Sequence, residues 1–132
     1  MFLHRLNNDE KLAFIELAHH IARSDNDFSS EEQTIINTYC LEMGIEDITY
    51  NENDFNLDSS VSKLISSQSQ KIVLMEIMAL IYSDGILHEE EKKILDFLIE
   101  KFDVSSSLSD VYKEWSISIL SLYKQGEALV AL

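Results

Sequence analysis

Apolar residues recur at three- and four-residue steps along most of the chain. Phe14, Leu17, Ala18, Ile21 and Ala22 form one such stripe and predict a helix over 9–24. Asn7 and Glu10, just ahead of it, have the spacing of a capping box. A second stripe, Ile35, Ile36, Tyr39, Cys40 and Met43, predicts a helix over 30–43. Ser29 is its expected N-cap, with Glu32 reaching back, and Gly44 followed by Ile45 reads as a left-handed stop with an apolar contact after it. Residues 46–58 are polar and acidic and read as a loop with a helical turn near Glu46. A short helix capped by Asp58 is expected over 59–66. Ser67 and Gln70 then open a helix over 68–83 that is apolar around most of its circumference, the expected central helix. Two more follow: one over 89–102, burying Ile94, Leu95, Leu98 and Ile99, and one over 108–130. The last should bury Val111, Tyr112, Trp115, Ile119, Leu122 and Tyr123, with Gly126 as a point of bending.

A shift of 59 residues lays residues 17–45 on 76–104 without a gap. Ser24-Asp25 falls on Ser83-Asp84, and Glu31-Glu32 on Glu90-Glu91. Apolar positions pair throughout: Ile21 with Leu80, Phe28 with Leu87, Ile36 with Leu95, Ile45 with Val104. Each unit, over 9–45 and 68–104, is an apolar helix, a Ser-Asp turn, a large apolar residue, a cap, a Glu-Glu start and a second helix. Two such hairpins can share one core about a pseudo-twofold axis. The predicted fold is an all-α, single-domain bundle of six to seven helices spanning 1–132.

Composition narrows this further. The 132 residues include no proline and three glycines, which disfavours turn-rich β folds, and 45% are apolar, too many for a disordered chain. No apolar run approaches the ~20 residues of a membrane span, so direct membrane insertion is not expected. The opening residues lack a signal-peptide pattern, and the single Cys40 cannot form an internal disulfide, so the expected compartment is the cytoplasm. The formal net charge is −14, from 10 basic and 24 acidic residues. Such a surface repels phosphate backbones, so no nucleic-acid partner is expected. A cation or a basic protein suits it better.

The repeated turns concentrate the chemistry. Both read Ser-Asp-(Asn/Gly)-x-(Phe/Leu)-(Ser/His)-x-Glu-Glu. Asp25, Asp27 and Glu31 in the first and Asp84 and Glu90 in the second are candidate ligands for a hard divalent cation, Ca²⁺ or Mg²⁺, the one cofactor the sequence suggests. Asp25, Asp27 and Ser29 copy the first ligand steps of an EF-hand, but Ser30 stands where glycine is required and Ile36 where glutamate is, so this is not one. The turns have a purely architectural reading as well. Acids favour the first turn of a helix. Asp25 and Asp84 can accept backbone N–H bonds in Asx-type turns, while Asn26 and Gly85 tolerate a left-handed conformation.

At these residues the chain resembles the tellurite-resistance TerB-like family, itself related to the N-terminal domain of DjlA-type co-chaperones. Phe14-Ile15-Glu16-Leu17-Ala18 before Ala22-Arg23-Ser24-Asp25, and Ala79-Leu80-Ile81-Tyr82-Ser83-Asp84-Gly85 before Glu90-Glu91, carry the resemblance over roughly 3–130. It implies an all-α, pseudo-symmetric, mostly cytoplasmic domain serving stress-response modules. That service would be divalent-metal sensing or the bridging of partner proteins near a membrane. The family's acidic turn residues fall on Asp25, Glu31, Asp84 and Glu90, and the first turn has Asn26 where the family has glycine.

Other residues read as structural. His19 and His20 diverge by about 100° on their helix and cannot chelate one ion. Glu16 and His20 form a surface i,i+4 pair, and His88 a helix cap. Cys40 is a buried, inert thiol, and Trp115, Tyr112 and Tyr123 are core. No phosphate loop, nucleophile elbow or zinc-protease motif is present in the sequence. The expected function is therefore a non-enzymatic binding module that reads cations or an unknown, membrane-associated protein partner. A metal-independent, co-chaperone-like scaffold is the alternative, and a metal-dependent hydrolase the remote one.

Overall fold

The computed structural model describes residues 1–132 apart from the side chain of Asp84. Among the described residues there are six α-helices and no strand: α1 (Asn8–Ala22), α2 (Ser30–Met43), α3 (Leu57–Val61), α4 (Ser67–Ile81), α5 (Glu89–Lys101) and α6 (Ser106–Val130). Single 3-10 turns occupy Leu3–Arg5 and Tyr82–Asp84. The chain is an all-α, single-domain bundle, as its apolar periodicity predicts. No described helix is long and apolar enough to cross a membrane.

The duplication holds at the level of single hydrogen bonds. Shifted by 59, the bounds of α1 become those of α4, and the start of α2 becomes the start of α5. Ser24 Oγ donates to the Ile21 carbonyl and Ser83 Oγ to the Leu80 carbonyl, each at 2.7 Å. Asn26 (φ 63°) matches Gly85 (φ 77°), and Gly44 (φ 67°) matches Asp103 (φ 53°), so both left-handed residues of each unit recur. The Ile45 amide donates to the Cys40 carbonyl and the Val104 amide to the Ile99 carbonyl, both at 3.1 Å. These are the six-to-one bonds of a Schellman stop.

Within each unit the two helices pack together, α1 on α2 and α4 on α5, and α1 meets α4 at the centre. Phe14, Ile15, Leu17 and Ile21 from α1 and Val73, Leu74, Ile77 and Ile81 from α4 are fully buried. A third helix completes each unit. Ser60 of α3 donates to the Ala13 carbonyl of α1 at 3.4 Å, and Ser116 of α6 to the Met75 carbonyl of α4 at 3.1 Å. Both serines are buried, and their small side chains let the helices approach closely.

Three boundaries differ from expectation because another hydrogen-bond acceptor is better placed. α3 begins at Leu57 because Asn56, not Asp58, accepts the Ser59 amide at 2.8 Å. Ser66 rather than Ser67 caps α4, and Gln70 donates to the Leu64 carbonyl instead of closing a box. The turn in the 46–58 loop lies at 52–54, not at Glu46, closed by the Asp54 amide on the Asn51 carbonyl at 3.1 Å.

The largest correction concerns α6. It runs unbroken through Gly126, whose cost of about 1 kcal/mol relative to alanine is too small to end a 25-residue helix. Of its expected core residues, Tyr112 packs half-buried against the core and Ile119 is half-buried, but the others are surface. Trp115 is 37% exposed, Leu122 60% and Tyr123 69%, Val111 is exposed, and Ser116 alone on this helix is buried among the described residues. The reason is that α6 packs chiefly on α4 and the 3-10 turn after it, and its far side faces solvent.

Candidate functional site

The first turn is built as its residues suggest. Ser29 accepts the Glu32 amide at 3.1 Å while Glu32 accepts the Ser29 amide at 3.1 Å. Asp25 Oδ1 accepts the Asp27 amide at 3.0 Å, an Asx turn. In the second turn the His88 amide donates to Glu91 at 3.2 Å, so His88 stands at the cap. The sequence placed a ligand at Asp84, and its side chain lies outside the described residues.

The fold brings the two turns face to face. His88 Nε2 lies 3.8 Å from Asp25 Oδ2. The other candidate ligands turn to local partners or to solvent. Glu90 pairs with Lys93 at 3.1 Å, Glu31 is exposed and accepts a 3.4 Å bond from Ser30, and Asp27 is exposed. Among the described residues, no three His, Cys, Asp or Glu side chains are gathered where they could hold a metal ion.

A polar cluster beside the first turn was not anticipated. His19, 2% exposed, lies 2.7 Å through Nε2 from Asp47 Oδ1, and Arg23 contacts its Nδ1. A guanidinium only donates, so Nδ1 is the acceptor and the ring proton sits on Nε2, shared with Asp47. Burial pushes the Asp47 carboxyl up, but hydrogen bonds from His19, Gln33 and the Ile48 amide outweigh it and hold the group below its ordinary value. Arg23 is sandwiched between Phe28 and Tyr50, 4.0 and 5.1 Å from the ring centroids. His20 turns to the Tyr50 hydroxyl at 3.0 Å and stacks on Phe55 at 4.5 Å, rather than pairing with Glu16. Asp47, Tyr50 and Phe55 all come from the loop over 46–58. The one signal for them was an acidic loop punctuated by aromatic rings.

Two cavities flank the central helices. The smaller, about 410 Å³, lies between α1 and α5 and is lined by His20, Ser24, Ile94 and Phe97, with Tyr50 and Leu57 from the intervening loop and helix. The larger, about 990 Å³, lies between α4 and α2 and is flanked by α6. Ala79, Ser83, Ile35 and Thr38 line it, and each stands 59 positions from its counterpart in the smaller cavity. Exchanging the units thus carries one cavity onto the other, the correspondence a twofold relation requires. Trp115, Ile119 and Tyr123 form the outer wall of the larger one. At one end the Met1 ammonium sits on Glu42, at 2.9 Å, and on Glu76. Burial nevertheless leaves the Glu76 carboxyl above its ordinary value.

Compared with protein families, with curated proteins and with solved structures, the chain has no match.

Proposed function

We propose that this chain is a non-enzymatic protein-interaction module whose larger groove seats the apolar face of a partner helix. The observation that carries the reading is the groove itself, about 990 Å³, open between α2, α4 and α6 and walled by Trp115, Ile119 and Tyr123. Apolar patches of this kind on a folded surface mark sites where another apolar surface docks, and a groove between helices suits an amphipathic helix. The resemblance to TerB-like and co-chaperone domains is in keeping with a bridging role. Trp115 is the chain's single tryptophan and reports occupancy directly. Amphipathic helical peptides lacking tryptophan should shift its emission to the blue, and Ile119→Asp should abolish the shift. No shift with any such peptide removes the reading.

A second reading, divalent-cation binding at the acidic turns, is favoured by one observation, the 3.8 Å approach of His88 to Asp25 that sets the turns side by side. Titration with Ca²⁺ or Mg²⁺ should then move the amide resonances of Asp25, Asp27, Glu31, Asp84 and Glu90 at millimolar cation. Unmoved resonances would leave the turns as architecture.

A further inference from the structure

Resting on the groove reading above, we infer that the occupant of the larger groove is a basic amphipathic helix of about four turns.

The smaller cavity indicates how this architecture lines such a groove. Tyr50, Glu52 and Leu57, part of a carboxylate-rich segment of the same chain, line one side of it. The helix walls carry Arg23 and Lys93, with Glu90 paired to Lys93, so their net charge is positive. Charge therefore opposes charge across this groove.

In the larger groove the wall charge is inverted. Glu42, Glu76 and Glu127 line it, with no lysine, arginine or histidine; the Met1 ammonium, seated on Glu42 and Glu76, is the one cation among the lining residues, so the wall keeps a net negative charge. Lys124, beside the lining, reaches the Ser83 carbonyl at 3.5 Å. By the same opposition, the complement to these walls is a helix whose apolar face is flanked by lysine or arginine. A second copy of this chain fits poorly, because it would bring the same carboxylates, and a further formal charge of −14, against them. Length follows from α6. The lining runs from Trp115 to Ala131, roughly 24 Å at ~1.5 Å per residue, a little over four helical turns.

The test uses three 16-residue peptides with one Leu/Ala face and Lys, Glu or Gln at the remaining positions. The Lys peptide should shift Trp115 emission with an affinity about tenfold above that of the Gln peptide, and the Glu peptide should be the weakest. Salt at 0.5 M should remove most of that advantage. Glu42→Lys combined with Glu127→Lys, helical by circular dichroism, should reverse the order of the Lys and Glu peptides. If the Gln or Glu peptide binds as tightly as the Lys peptide, the groove reading stands and this inference fails. If no peptide shifts the emission, or Ile119→Asp leaves the shift intact, both fail. A peptide-free dimer that buries Trp115, or a shift with phosphatidylcholine vesicles equal to that with the Lys peptide, also overturns the inference.

Discussion

Nε2 of His19 stands 2.7 Å from Oδ1 of Asp47, and this bond fastens the loop over 46–58 onto α1. The imidazole is almost wholly buried, whereas Asp47 is exposed at the edge. Removing the carboxylate leaves a buried N–H without its acceptor. Asp47→Ala should therefore cost about 1–3 kcal/mol, the penalty for an orphaned buried donor. A double-mutant cycle with His19→Ala, followed by urea unfolding, should give a coupling on the order of 1 kcal/mol. Additive losses would mean that the loop is held by Tyr50 and Phe55 alone.

The matched left-handed positions make a paired prediction. A Cβ at Gly44 or Gly85 would meet nothing within 4 Å, so substitution there costs backbone strain only. Gly44→Ala and Gly85→Ala should each destabilise by roughly 1–2 kcal/mol. Asn26→Gly and Asp103→Gly relieve the same strain and should be neutral or stabilising. Thermal melts of the four variants measure this, and a stabilising Gly85→Ala would contradict the assigned backbone.

Stability should fall as the solution is acidified, in two windows. Burial holds the His20 imidazole below its ordinary value. Below about pH 6.5 the unfolded chain therefore binds a proton that the folded chain resists, and stability drops. His20→Phe, which keeps a ring on Phe55 and does not titrate, should flatten the slope between pH 7 and 5 as read by chemical denaturation. Asp47, held low in the folded state, contributes stability that is present above about pH 3.9 and lost below it. Asp47→Asn should shrink that lower step. Glu76 acts in the opposite sense, since its raised value favours the folded state at low pH, so Glu76→Gln should steepen the acid loss.

Cys40 is buried, and burial together with the nearby Asp47 charge pushes its thiol up. Alkylation at pH 8 should be slow and should accelerate sharply through the urea transition, because the thiolate is the reactive form and is disfavoured in the fold. Fast labelling of the native chain would show that α2 opens locally.

Features that depend on neighbours along the chain were legible in the residues alone. The 3.6-residue stripes set α1, α2, α4 and α5, the Ser29/Glu32 box fixed the start of α2 to the residue, and the Asn7/Glu10 box placed that of α1 within one residue. The 59-residue repeat, read from residue classes, recurs in the backbone bonds of Ser24 and Ser83. Which apolar residues are core and which are surface depends on how whole elements pack. Trp115, Leu122 and Tyr123 have the spacing of a buried stripe, but burial needs a second element on that side, and periodicity within one helix carries no information about it. The meeting of Asp25 with His88 and of His19 with Asp47 depends on how the units and the loop pack. Those contacts join residues 63 and 28 positions apart, beyond the reach of any local rule.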